Sequence, residues 1–257
     1  MTTTSASLGV GVYNALTARI AERAGFDILW VSARDVCLRF GQPDPAAVTP
    51  TQIAAVAAEI RVACDLRLYV DAGDGGGSDE SAAHVVRLLE RAGAHAVCLH
   101  DGAPGPARLL PRDDAARRLA AACAARETMR VIAGTDALVA GGAAGETVAR
   151  LRAYESAGAD ALFVRIDRDS RDLLAPVLAE VRGRLPVVLA PEALPEVSVE
   201  DLAALGVTDV IFRDVVTRTV SASVPRILAA VRSSGRLATV VDDIAPVQAV
   251  FDLVAPR

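Results

Sequence analysis

Short apolar runs alternate with longer stretches in which apolar positions recur every three or four residues, and the alternation continues from one end of the chain to the other. The runs fall at 8–13, 27–31, 66–71, 96–100, 130–134, 161–165, 186–190 and 209–212. They are too short for helices and too uniformly apolar for surface strands, so they predict strands buried on both faces. Between them, amphipathic stretches such as 15–24, 49–63, 80–92, 145–156 and 170–181 predict helices. Several close on one recurring phrase: Ala24-Gly25-Phe26-Asp27, Ala92-Gly93-Ala94-His95, Ala157-Gly158-Ala159-Asp160 and Leu205-Gly206-Val207-Thr208. A glycine at that place suits the left-handed cap before the next strand. Eight such units predict an α/β chain folded as a (β/α)8 TIM barrel with an additional C-terminal helix. A doubly wound open sheet is the alternative, and the absence of a dinucleotide fingerprint after the first strand counts against it. Residues 1–257 then form a single barrel domain. After the eighth strand a helix over about 217–233 is followed by a second helical piece over 244–253, within a helical extension 236–257 that packs on a neighbouring subunit or beneath the barrel.

Composition narrows the chemistry. At 257 residues, 52% hydrophobic, with a net charge of -5, the chain has the size of one large soluble domain. No apolar run approaches the roughly 18 residues of a membrane span, and the first residues lack the basic start and apolar stretch of a signal peptide, so the expectation is a cytoplasmic protein without a membrane partner. Mild acidity without a basic cluster argues against nucleic acid. Cys37, Cys64, Cys98 and Cys123 are widely spaced with no Cys-x-x-Cys pair, which predicts buried free thiols. All 27 basic residues are arginine, and the missing lysine excludes Schiff-base, pyridoxal phosphate and Walker-type nucleotide chemistry.

The segment 66–77, Leu-Arg-Leu-Tyr-Val-Asp-Ala-Gly-Asp-Gly-Gly-Gly, runs an apolar strand into two carboxylates on a glycine-rich turn. In a barrel the site is built at the C-terminal ends of strands. Those ends carry Tyr13, Ser32, Asp71, His100, Gly134, Arg165, Pro191 and Arg213 or Asp214, and the loops 32–48, 102–112 and 134–145 rim the same face. Asp44, Asp74 and Asp101 can join from loops. Carboxylates converging on a small pocket suit a hard divalent ion, Mg2+ or Mn2+. Each candidate also has a plainer reading. Asp71 and Asp74 can be ordinary turn residues, Asp44 a helix cap in Pro43-Asp44-Pro45, and His100 a hydrogen-bonded structural residue. Arg165, followed by Asp167, Arg168 and Asp169, can belong to a solvated charge run. His84 and His95 read as structural.

Gly11-Val12-Tyr13-Asn14-Ala15-Leu16, Trp30-Val31-Ser32, Phe40-Gly41-Gln42-Pro43-Asp44, Val70-Asp71 and Val97-Cys98-Leu99-His100-Asp101, with 154–161 and 210–218, resemble the isocitrate lyase and phosphoenolpyruvate mutase superfamily over nearly the whole chain. The resemblance implies a (β/α)8 barrel that passes through an enolate stabilised by a divalent ion. Carried onto this chain, it makes Asp71 a direct metal ligand, with Asp44 and Asp74 orienting metal-bound water. Ser32 and neighbouring amides, Ala33 among them, would hold the enolate or carboxylate. Arg165 would clamp the substrate, His100 would act as acid, base or altered metal ligand, and Tyr13 would position the substrate.

The chain also departs from the pattern. The family's Asp-x-Asp-Thr-Gly-Tyr-Gly reads Asp71-Ala72-Gly73-Asp74-Gly75-Gly76-Gly77, the shell glutamate becomes His100, and the substrate-binding arginine of the fifth strand becomes Gly134. The loop after the fourth strand lacks both the mutase's Lys-x5-Asn-Ser and the lyases' Lys-Lys-Cys-Gly-His. The expectation is therefore a divergent metal-dependent lyase acting on a small oxo-acid or related carboxylate, with carbon-carbon cleavage favoured. One alternative is phosphorus-carbon chemistry of the phosphoenolpyruvate mutase or phosphonopyruvate hydrolase type; another is a non-catalytic ligand-binding or scaffold protein with a degraded site. The resemblance also implies a homotetramer or homodimer, commonly with the last helices exchanged.

Overall fold

Eight parallel strands close in chain order, the last pairing with the first. They are β1 (Ser7–Gly11), β2 (Ile28–Ser32), β3 (Arg67–Asp71), β4 (Ala96–His100), β5 (Arg130–Thr135), β6 (Ala161–Val164), β7 (Val187–Leu189) and β8 (Asp209–Phe212). Every strand lies within two residues of its predicted ends. The computed structural model describes residues 6–103 and 108–255. Met1 to Ser5, Pro104 and Pro106 of the fourth-strand loop, and the end of the 236–257 extension lie outside the described residues.

Helices α1 (Ala15–Arg23), α2 (Ala33–Arg39), α3 (Pro50–Ala63), α4 (Asp79–Arg91), α5 (Arg112–Ala125), α6 (Ala144–Ser156), α7 (Leu174–Val181) and α8 (Val199–Ala204) lie along the barrel; α9 (Val215–Ser234) and α10 (Val247–Val254) follow. Alternate strand residues enter two different cores. Ile28, Trp30, Tyr69, Cys98, Ile132, Phe163 and Ile211 pack inside the barrel. Their neighbours Leu29, Val31, Leu68, Val70, Val97 and Leu99 pack outward under the helices. This two-sided burial makes the strands read as continuous apolar runs instead of alternating ones. Gly25, Gly93, Gly158 and Gly206 of the recurring phrase take φ of 85°, 85°, 100° and 98°, the left-handed cap expected of them.

The segment 32–48, expected as a long loop, contains α2 and a short helical turn, Pro45–Ala47. Helix α2 is too short to show a period in sequence; its start is fixed locally, because Ser32 Oγ accepts the Asp35 N–H. All four thiols are free, with Cys37, Cys64 and Cys98 buried and Cys123 half-buried. Within this chain α10 lies against α1, where Arg23 Nε donates to the Leu253 carbonyl at 3.1 Å. Helix α9 buries none of its residues, and Val220, Val224 and Leu228 on it and Val247, Val250 and Phe251 on α10 are exposed. Among the described residues no helix is long and apolar enough to cross a membrane.

Asp101, a loop candidate for the site, instead turns into the barrel wall. Its side chain is 1% exposed and accepts from Tyr154 Oη at 2.6 Å, Thr135 Oγ1 at 2.8 Å, the Asp136 N–H at 2.8 Å and Arg150 Nη1 at 3.2 Å. One carboxylate thus ties the end of β4 to β5 and α6. Removing it takes the acceptor from Tyr154 Oη and Thr135 Oγ1 and leaves Arg150 with Glu146 as its remaining anion, so Asp101→Ala is expected to lower stability by about 2–4 kcal/mol in urea unfolding. A change below about 1 kcal/mol would show that the network contributes little net stability.

Candidate active site

The barrel register brings the strand tips into rows. Ser32 lies opposite Asp71, Asp71 opposite Cys98, His100 opposite Gly134, and Gly134 opposite Phe163. Above them opens a cavity of about 310 Å³ whose lining includes Asp71, His100 and Asp136 and the arginines Arg34, Arg165 and Arg213.

His100 is the centre of this site. Its Nε2 is 3.5 Å from Asp71 Oδ1 and its Nδ1 is 3.3 Å from Asp136 Oδ1, with the side chain 9% exposed. The Nδ1 contact has an ion-pair distance but lacks hydrogen-bond alignment, so both of these buried atoms are left without a hydrogen-bond partner. Phe163 meets the imidazole edge-on, 5.2 Å between centroids at 79°, and the same ring carries the Arg213 guanidinium at 5.8 Å. Cys98 Sγ lies 3.4 Å from Nε2.

Burial alone would push the His100 pKa down, but its charged neighbours outweigh burial and hold it well above the ordinary value. Those neighbours are Cys98 first, then Asp71 and Asp136. The reciprocal effect appears in Asp71: burial would raise its carboxyl, but His100, the Gly73 N–H and Arg213 bring it down to about 2. Asp136 is likewise lowered against burial, by His100 and Arg165. The floor of the cavity is therefore an imidazole flanked by two carboxylates that favour its protonated form.

Gly134 explains why the imidazole fits. A Cβ at that position would stand 2.5 Å from His100 Nδ1, closer than atoms can approach. The arginine missing from position 134 and the glutamate missing from position 100 are thus one structural event: the His100 ring occupies the space into which a residue-134 side chain would grow.

The other expected residues separate into those that line the cavity and those that do not. Ser32 and Ala33 line it, but the Ser32 hydroxyl donates to Asp35 Oδ2 at 2.7 Å and serves as the cap of α2. Asp35, which Thr217 also holds, is pushed up by burial. Arg165 lines the cavity, with Nη1 3.0 Å from Asp136 Oδ2 and a side chain 37% exposed. Asp74 lines it too, but Oδ2 is paired with Arg118 at 3.2 Å and Oδ1 accepts the Gly76 N–H. Asp44 is exposed, accepts the Ala46 N–H and caps the 45–47 turn, as its plainer reading has it. Tyr13 is not part of the lining. Its carbonyl accepts from Arg39 Nη1 and its N–H donates to Thr17 Oγ1.

Asp136 and Glu192 were missed in sequence. Glu192 holds Arg213 bidentately, 3.0 Å on each arm. Asp136 directly follows the tip of β5, and that position is itself the signal for a site residue in a barrel.

A divalent ion needs several oxygens aimed at one point. Of the expected ligands only Asp71 faces the centre, and it is engaged by His100; Asp74 and Asp44 are committed elsewhere. Among the described residues no three histidine, cysteine, aspartate or glutamate side chains form a group that could hold a metal ion. The residues present therefore do not fit the Mg2+ or Mn2+ shell that the resemblance implies.

The fold is thus a closed (β/α)8 barrel with carboxylates, a histidine and arginines gathered at its strand tips. The chain belongs to the phosphoenolpyruvate mutase family, within the phosphoenolpyruvate mutase/isocitrate lyase superfamily: the family model described as phosphoenolpyruvate phosphomutase matches residues 4–232. A phosphonopyruvate hydrolase of Variovorax sp. (strain Pal2) is 29% identical over 95% of this chain and 88% of its own. An oxaloacetate decarboxylase of Paraburkholderia xenovorans (strain LB400) is 31% identical over 71% of this chain and 64% of its own. A crystal structure of phosphonopyruvate hydrolase in complex with oxalate and Mg2+ superimposes with a TM-score of 0.91 at 29% identity, covering 96% of this chain and 89% of that one.

Two measurements test the floor. Gly134→Ala is expected to destabilise the fold by about 1–3 kcal/mol through the clash, and by clearly less in a His100→Ala background. Equal costs in the two backgrounds would mean that the ring is not the obstacle. The second measurement is the pH dependence of stability. A histidine whose folded pKa is raised gives stabilisation fully present below its unfolded value of 6.5 and lost as pH rises through the folded value. Wild-type stability should accordingly fall above neutral pH, by up to about 1.4 kcal/mol per unit from this group, and His100→Gln should lack that fall. Superimposable pH profiles for the two proteins would contradict the charged pair.

Proposed function

We propose that this chain is a lyase that acts on a small oxo-acid through an enolate and breaks the carbon-carbon bond between the carbon alpha to the carbonyl and the departing group. The observation that carries the reading is His100, flanked by Asp71 and Asp136, at the base of a cavity of about 310 Å³ that arginines also line. When the bond from the carbon alpha to the carbonyl to the departing group breaks, its electron pair forms the enolate double bond and the carbonyl pair moves onto oxygen, and a fixed donor aimed at that oxygen lowers the barrier. At 3.5 Å the Nε2–H is only weakly held by Asp71, so an enolate oxygen can accept it. Asp71 and Asp136 keep the ring charged and oriented. Arg165 spends one donor on Asp136 and offers the rest of its guanidinium to a substrate carboxylate. Divalent-ion dependence, which the resemblance implies, is the part of the expectation that these residues do not support.

Phosphorus-carbon chemistry is the second reading, favoured because the phosphonopyruvate hydrolase aligns with 95% of the chain and the decarboxylase with 71%. The exposed apolar residues of α9 and α10 further support self-association, as a homodimer or homotetramer.

The test is turnover of oxaloacetate, followed as pyruvate formation and carbon dioxide release, beside phosphonopyruvate, followed as phosphate release. Oxaloacetate turnover is expected, with kcat/KM reduced about 10²–10³-fold in His100→Gln and in Asp71→Ala. Phosphate release alone would move the assignment to the second reading. Full activity in Asp71→Ala would remove the floor from the mechanism.

A further inference from the structure

We propose that this site binds its oxo-acid anion without a divalent ion, the guanidinium groups of Arg165 and Arg213 supplying the positive charge and the imidazole of His100 occupying the place beside Asp71. The inference rests on the oxo-acid reading above and adds what recognises the anion.

Four observations carry it. First, the space beside Asp71 is taken: His100 Nε2 stands 3.5 Å from its Oδ1, and Nδ1 stands 3.3 Å from Asp136 on the other side. Second, the ring sits against the edge of Phe163 and over Gly134, where a Cβ would come within 2.5 Å of it. The glycine is thus the condition for the imidazole being where an ion's charge would act. Third, the carboxylates that would complete a shell are bound elsewhere, Asp74 by Arg118 and Asp44 by the Ala46 N–H.

The fourth observation is a balance of charge. Against the pattern the resemblance implies, Gly73 and His100 each stand where an acid is expected. With the arginine absent from position 134 counted as well, the floor is one unit less negative than that pattern, before any charge on the imidazole, so an anionic substrate meets less repulsion there without an ion. Arg165 and Arg213 both line the cavity, and the donors that Asp136 and Glu192 leave free on them then meet the carboxylates of the substrate.

The experiment is calorimetric titration of oxalate into the full-length protein in EDTA, then with Mg2+ and with Mn2+. Oxalate is expected to bind with the same dissociation constant in all three, within about twofold, and about tenfold or more weakly to His100→Gln. Binding that needs Mg2+ or Mn2+ would overturn the inference and leave the oxo-acid reading standing. No binding under any condition, with no turnover of an oxo-acid, would overturn both. A second variant, His100→Glu, returns the acid to the shell. It is expected to gain a Mn2+ site, read directly by electron paramagnetic resonance, that the wild type lacks. A wild type that binds Mn2+ as tightly as this variant would also overturn the proposal.

Discussion

In a closed barrel of parallel strands every second side chain points into a space only wide enough for side chains to fill, and the site of this protein follows from how that inward row ends. Within the barrel the row is Ile28 and Trp30, Tyr69, Cys98, Ile132, Phe163 and Ile211. One pleat further along the same strands it becomes Ser32, Asp71, His100, Gly134, Arg165 and Arg213. The apolar interior thus forms the underside of the polar floor, and it supplies the low-dielectric surroundings that make the charges at the tips interact strongly. Trp30 stacked on Phe163, and Phe163 against both His100 and Arg213, is the physical link between the two layers.

The chain differs from its relatives' pattern at several positions that look independent in sequence and are coupled in space. Gly134 gives up a side chain where the neighbouring strand has gained an imidazole. Asp136, two residues further on, then faces the ring at Nδ1, and Arg165 closes the row behind it. On the proposed reading, fixed side chains act in place of an ion, which changes which forces the site relies on. A bound ion is lost to a chelator, but a buried imidazole is held by its two carboxylates and by packing, and it is sensitive to pH instead. The arginine-only composition is consistent with such a site, since a guanidinium keeps its charge when buried and can grip a carboxylate with two parallel bonds.

How much was legible varied with the range of the interaction concerned. Strand positions, the glycine caps and the barrel itself could be read because each depends on local periodicity: burial on both faces makes a strand apolar throughout, whatever its partner. The resemblance carried the general location of the site for the same reason, because it places Asp71, His100 and Arg165 at strand tips. It could not carry side-chain direction. Asp74 and Asp71 lie three residues apart on one turn, yet one faces the cavity floor and the other is drawn to Arg118, contributed by a helix more than forty residues away in sequence. Asp101 beside His100 points into the wall because Tyr154 and Arg150 of α6 wait there. Ser32 reads as a substrate hydroxyl and is a helix cap, because Asp35 is only three residues on.

The sequence by itself determined the order of eight strand-helix units, the closure they favour and the face on which charged residues gather, since these follow from patterns repeated within a few residues. Only the tertiary structure decided which of the acids share a centre, that a glycine makes room for a histidine on the next strand, and that the expected metal shell does not converge. Those outcomes depend on distances between residues far apart in the chain. An error of one strand position, about 3.3 Å, separates an ion pair from no interaction at all.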